Sequence, residues 1–259
     1  MLPEMFKWWI LVLAPVCLIG QGKASLRWEE SLQVRYETRY NAWFGRGRHD
    51  RAYQGLLSIA GSCSYFCLVP MPDTAREGAY GEHDVFIGAD TVWQVWKNLQ
   101  TDSLVFVDLS LSGAPTSYAD SVHPMTWRLL PARKWLEGME CYQAETFFRG
   151  RHYVAWYVPA IPLPQGPWKL GGLPGLIVEA YDVERNLVFQ LLSIQGGLSN
   201  PRHCVGAGQG IGSYVDYQRY WQNMIRRLRR SMAAQSEAGC LSCRTTSTMK
   251  VHTWESIPE

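Results

Sequence analysis

Stretches of strict apolar/polar alternation run through this chain, and their period of two predicts strands. Between Leu32 and Phe44, the residues Leu32, Val34, Tyr36, Thr38 and Tyr40 fall on one face, while Gln33, Arg35, Glu37 and Arg39 fall on the other. That pattern fits a half-buried antiparallel strand. A polar turn, Gly45–Arg51, follows, then strands over Tyr53–Ile59 and Ser64–Val69 around Gly61. Pro70–Gly88 has loop composition, and the turn-forming Gln100, Thr101 and Asp102 split a further pair, Val92–Asn98 and Leu104–Leu111. Gly113–His123 is polar and reads as loop.

In the second half, Tyr142–Phe148 and Arg151–Val158 flank Arg149-Gly150, a two-residue link of the kind that closes hairpins. Leu176–Val183 and Leu187–Ile194 flank Glu184, Arg185 and Asn186 in the same manner. Between these hairpins, Pro159–Gly175 holds five prolines and four glycines. Proline has no donor for a central ladder, so this segment is expected to cross the rim or edge of a sheet. At its end, Pro174 and Gly175 suit the centre of a type II turn, with Leu176 and Ile177 starting a strand.

The period changes once. Ser213 is a plausible N-cap with Asp216 three residues on, and Tyr217, Trp221, Met224, Leu228 and Met232 then recur at helical spacing. Arg219, Arg226, Arg227, Arg229 and Arg230 take the other faces, where a solvated surface and the C-terminal dipole account for them. The expected fold is mostly β: a curved antiparallel sheet, a bowl or half-barrel built from hairpins, with one C-terminal amphipathic helix over residues 213–235.

A set of submotifs in register adds a resemblance. Trp127-Arg128-Leu129, Gly138–Ala144, Phe148–Arg151, Ala155-Trp156-Tyr157, Ile161-Pro162, Gly166-Pro167 and finally Gly172, Leu173, Pro174, Gly175, Leu176 and Ile177 follow one another over about fifty residues. In order and spacing they resemble the GLPGLI family of the Bacteroidetes, secreted or periplasmic proteins. The resemblance implies no general reaction. It implies a fold like the bowl-shaped N-terminal module of one type of peptide N-glycosidase, in which catalysis belongs to other domains.

Compartment changes how the rest is read. Residues 1–24 have the form of a signal peptide, with Lys7, an apolar run Trp8–Gly20 and a small-x-small end at Gly22-Lys23-Ala24. The run is short for a membrane span. A lipid anchor at Cys17 is the rival, although Val16 stands where such signals prefer Gly, Ala or Ser. Residues 25–235 then form one β-rich domain and 236–259 a cysteine-containing tail, in a protein expected to be periplasmic or secreted. Cys63, Cys67, Cys141, Cys204, Cys240 and Cys243 remain after the leader, and an even number in an exported chain favours disulfides. Cys240 and Cys243 would also suit a redox pair or half a zinc site. No strand precedes them and no second pair lies at ligand spacing, so bridging is preferred.

Hydrophobic content of 47% against 19% charged residues excludes a mainly disordered chain, and a net charge of +2 gives no general argument for nucleic acid. The sequence holds no Gly-x-Ser-x-Gly elbow, His-Glu-x-x-His, Walker loop or calcium loop. The glycine-rich Gly206–Gly212 lacks dinucleotide-fingerprint spacing and reads as a linker. His203 beside Cys204 suggests a nucleophile and base, which a disulfide would remove. No metal or cofactor is expected. The ligand-surface candidates are Arg149, Arg151, Trp156, Tyr157 and Trp168, placed at the mouth of the bowl, with core packing and turn charges as the plain alternative. Three functions remain in view. The first is an exported, non-catalytic binding or envelope-associated module whose partner is a protein, peptide or glycan. The second is a secreted hydrolase or thiol-disulfide protein. The third is a docking subunit of an outer-membrane complex.

Overall fold

The computed structural model describes residues 31–44, 47–71, 93–109, 116–122, 125–196 and 210–237. The expected leader, Cys17, Cys204, Cys240, Cys243 and His203 lie outside them. Twelve strands form one sheet, curled and mostly antiparallel, as the hairpin pattern predicts. In chain order they are β1 (Leu32–Phe44), β2 (Gly47–Ala60), β3 (Cys63–Pro70), β4 (Trp93–Asn98), β5 (Ser103–Asp108), β6 (Thr116–Asp120), β7 (Arg128–Leu136), β8 (Met139–Phe148), β9 (Arg151–Val158), β10 (Leu176–Asp182), β11 (Leu187–Gly196) and β12 (Gly210–Ser213). One helix, α1 (Tyr214–Glu237), follows β12 directly. Across the sheet the order is β12-β6-β5-β4-β3-β2-β1-β11-β10-β9-β8-β7. Two meanders are therefore joined where β1 pairs with β11.

The alternation in β1 has its expected consequence: Leu32, Val34, Tyr36, Thr38 and Tyr40 are buried. Their neighbours across the ladder, including Tyr53, Leu57, Ile59 and Phe189, share that inner face and its core. Arg149 and Gly150 close the β8–β9 hairpin with φ of 50° and 75°, the two positive values that a tight I′ turn requires. Ser213 caps α1 as expected. Its backbone N–H donates to Asp216 Oδ2 at 3.0 Å, and the Asp216 N–H donates back to the Ser213 hydroxyl at 3.3 Å, a reciprocal box.

Four expectations need correction. Gly47–Arg51 continues β2 instead of belonging to a turn, because ladder hydrogen bonds are made by backbone and tolerate polar side chains. Thr116–Asp120 is a strand, its short polar sequence held by pairing with β5. Arg128–Leu136, given no element by the pattern, is the terminal strand β7. Gly210–Ser213 is β12, running parallel to β6, and not a free linker.

Residues 159–175 depart furthest from expectation. They do not cross the rim. They form a strap buried against the inner face, where Gln165, Trp168, Lys169, Leu170 and Leu173 are almost wholly enclosed. The prolines shape it. Leu163 N–H donates to Ile161 at 2.7 Å, Gln165 N–H to Leu163 at 2.7 Å and Gly175 N–H to Leu173 at 2.8 Å, each closing a three-residue turn centred on Pro162, Pro164 or Pro174. Proline's fixed φ matches the centre of an inverse γ-turn. Gly175 accordingly lacks the positive φ of a type II turn; that conformation belongs to Gly172, at 85°. Gly175 is needed because a Cβ there would lie 2.3 Å from the Val158 carbonyl oxygen.

Candidate functional site

The strap puts charge inside the sheet. Lys97 lies in phase with Trp93 and Val95 on the inner face of β4, is 1% exposed, and donates to Gly166 O at 3.0 Å and Leu170 O at 2.9 Å. Burial pushes its ammonium down to about 7. Ser64 adds a 3.0 Å bond to Gln165 Oε1, and Trp127 Nε1 donates to Gly171 O at 2.8 Å from the other side. These contacts fasten the strap to β3 and β4 in the first meander and to the approach of β7 in the second.

A second buried group lies beneath α1. Tyr217 donates to Asp108 Oδ2 at 2.6 Å, and Lys169 bonds the Tyr118 hydroxyl. Lys169 Nζ also stands 3.8 Å from the centre of the Phe106 ring. Burial, then the neighbouring Arg149, drives the Lys169 ammonium well below its ordinary value, against the opposing pull of Asp120 and Asp108. Tyr217 moves the other way, raised by burial and then by Asp108. Sequence patterning missed this cluster. Its one legible signal was lysines at positions in phase with, or enclosed by, large apolar residues.

The five proposed ligand-surface residues separate. Trp168 is fully buried, at φ of 52°, against Trp93, Phe148 and Tyr153. Arg149 turns inward to pair with Asp120 and lies over the Tyr214 ring at 3.2 Å. Arg151, its side chain 9% exposed, pairs with Asp182 at 2.7 Å. Burial pulls its guanidinium down, but Tyr153 and Asp182 outweigh that and leave it raised. Trp168 is enclosed within the core, and Arg149 and Arg151 are each paired with a carboxylate. Tyr157 is 5% exposed, and Trp156 sits half-buried under Lys134, whose Nζ is 4.4 Å from the ring centre. Cys67 and Cys141, proposed for bridges, are free thiols. Both sit on strands of the sheet with no other described cysteine sulfur bonded to them. Cys63 is not among the free thiols, and Cys204, Cys240 and Cys243 lie outside the described residues.

The exposed aromatic surface is instead at the free edge, on β7 and its neighbours. Arg128 and Lys134 reach the outer face, pairing with Glu145 and Glu179. Alternation then directs Leu129, Arg133 and Trp135 to the inner side, with an irregular register between Leu129 and Arg133. Trp135 is 73% exposed and Leu129 56%. Arg133 covers the Tyr142 ring at 4.8 Å, and Tyr142 in turn meets Tyr157 at 6.0 Å. Among the described residues no strand lies beyond β7, and along this row Arg133 also pairs with Glu140 at 3.3 Å, leaving Trp135 and Leu129 as an exposed apolar rim.

Residues 124–179 match a family described as a protein of unknown function (Porph_ging), a segment containing β7 to β9, the strap and the Gly172–Ile177 motif. No curated protein matches the chain. Among solved structures, PNGF-II in a P21 crystal form is similar at 10% identity and a TM-score of 0.49, over 77% of this chain and 34% of that one. The same protein in a C2 form gives 10% identity, 0.46, 73% and 32%. The chain thus spans about a third of PNGF-II. A LolA superfamily protein, NE2245 from Nitrosomonas europaea, is similar at 10% identity with a TM-score of 0.28, over 69% of this chain and 91% of that one.

Proposed function

We propose that this protein is an exported, non-catalytic binding module of the GLPGLI type that engages its partner along the β7 rim and not within the bowl. One observation carries the reading. The inner face is occupied by the strap and by charged groups paired with one another, whereas Trp135 and Leu129 stand exposed beside the Arg133–Tyr142 stack. Exposed aromatic and arginine side chains on a rigid strand are the groups that dominate binding interfaces. The partner is an extended segment of a secreted or outer-membrane protein. A terminal strand offers N–H and C=O groups to such a segment, and Trp135 and Leu129 offer exposed apolar side chains for its own side chains to pack on. GLPGLI membership rests on Gly172–Ile177 and the submotifs that precede it, all inside or bordering the matched stretch.

The test uses the purified chain on arrays of immobilised peptides and of immobilised oligosaccharides. Retention by extended peptides, lost on Trp135→Ala and kept on His152→Ala, is the expected result. Chemical turnover of a retained ligand, retention by oligosaccharides alone, or retention indifferent to Trp135 would each refute the reading.

A further inference from the structure

The arginines of α1 answer to a different physical cause from the one their sequence position suggests. The helix runs to Glu237, and its last turn contains no basic residue, so the C-terminal dipole does not explain them. They sit mid-helix. Arg219, Asn223, Arg226 and Arg230 follow at intervals of four, three and four, which places them in one stripe on the helix surface. Tyr217 and Trp221, the residues that dock α1 onto the sheet, are 2% and 6% exposed and lie on the opposite side. Arg219, Arg226, Arg227 and Arg230 are all exposed.

Their charge is barely compensated. Among the described residues, Arg219 pairs with Asp216 at 3.1 Å, and Arg226 finds the neutral Asn223 side chain at 2.9 Å and the Gln222 carbonyl. Between Asp216 and Glu237 the helix has no acidic residue. Its five arginines against those two carboxylates leave an excess of three positive charges, more than the +2 of the entire chain. The remainder of the sequence is therefore slightly negative, and the excess positive charge is carried by one helix. A charge distribution of that kind orients a protein in the field of an anionic surface.

We propose that α1 docks the protein, stripe first, onto a membrane surface rich in anionic phosphate headgroups. A straight stripe of about 16 Å, from Arg219 to Arg230 at 1.5 Å per residue, meets a plane along its whole length. It lacks the concavity that would enclose a single phosphate. The docking is electrostatic, because the apolar face of α1 is already used against β5 and β6, through Tyr217 with Asp108 and through Tyr214 and Tyr217 with Tyr118. It leaves the β7 edge free, at the other end of the sheet order. The inference does not depend on the rim having a partner.

Co-sedimentation of the full chain with vesicles tests it. Vesicles of phosphatidylcholine alone should leave the protein in solution, while those with about a third phosphatidylglycerol should sediment it. Binding should fall as ionic strength shortens the Debye length from about 10 Å to about 4 Å. Each arginine near such a surface contributes about a fivefold factor, so the double variant Arg226→Gln, Arg230→Gln should lower the partition coefficient by roughly 25-fold. Arg226→Lys, Arg230→Lys should retain it, and Arg39→Gln, on the sheet, should leave it unchanged. Equal binding to both vesicles, no binding to anionic vesicles at low salt, or an unaltered partition in the Gln variant would overturn the proposal. Complete displacement by millimolar glycerol phosphate would also do so, assigning the stripe to a soluble anion, and binding of an acidic protein in preference to anionic vesicles would assign it to a protein partner.

Discussion

At the scale of single residues, Lys97 sets a measurable pH dependence. Its ammonium loses its proton near pH 7 in the folded chain and near 10.5 when exposed. Between those values the unfolded state binds more protons, so stability rises with pH; the burial cost is complete below about pH 7 and absent above about 10.5. Lys169 is shifted in the same direction. Tyr36, raised by burial, opposes both only near and above pH 10, where unfolded tyrosines ionise first. The informative window is therefore pH 7 to 9. Urea unfolding of the wild type should gain about 2 kcal/mol from Lys97 across that window. Lys97→Met should be less stable throughout, since it strands the Gly166 and Leu170 carbonyls, but its curve should be shallower by that same amount. A wild-type-to-variant difference that stays constant from pH 7 to 9 would show that Lys97 is not held in the way described.

Among elements, the strap separates two roles for glycine that a sequence motif merges. Gly172 provides a positive φ, and an alanine there costs about 1 to 2 kcal/mol of backbone strain. Gly175 provides room: a methyl group would meet Val158 O at 2.3 Å, Val158 C at 2.7 Å and Pro159 N at 2.9 Å, all backbone atoms that cannot swing aside. Gly175→Ala should therefore destabilise by roughly 3 kcal/mol, the upper end for overpacking, and more than Gly172→Ala by equilibrium unfolding. The reverse ranking would return Gly175 to the type II turn that Pro174-Gly175 suggests. The same contrast explains how much of the fold was legible. Strands with two faces, such as β1, and α1 with its Ser213–Asp216 cap, declare themselves by period. β6, β7 and β12 are short, polar or glycine-rich, and they exist because a neighbouring edge supplies the ladder. The strap shows no period at all, since it is shaped by γ-turns and held by Lys97, whose contacts join residues about seventy positions apart. Arg149 and Arg151 of the β8–β9 hairpin looked like exposed turn charges because their partners Asp120 and Asp182 are distant in sequence. Trp135 escaped notice because β7 did.

For the molecule as a whole, the strand order argues that the matched segment cannot stand alone. Residues 124–179 supply β7, β8, β9, the strap and most of β10, yet groups that hold the strap and β10 come from outside: Lys97 from β4, Ser64 from β3 and the Tyr36 hydroxyl of β1, which donates to Ile177 O at 2.7 Å. The strap in turn buries Trp168 against Trp93 of the first meander. Without β1 to β5, Trp168, Lys169 and Leu170 would lose Trp93, Phe106 and Lys97 as neighbours, and β11 would become an open edge where β1 now pairs. A single cooperative transition is therefore expected for the full chain, coincident by tryptophan fluorescence and far-ultraviolet circular dichroism. A fragment of residues 122–196 should show no such transition and should lack near-ultraviolet tryptophan bands. A fragment that unfolded cooperatively with those bands intact would show that the second meander and its strap form a domain by themselves. The first meander would then be a separate unit and not the wall against which the strap is built.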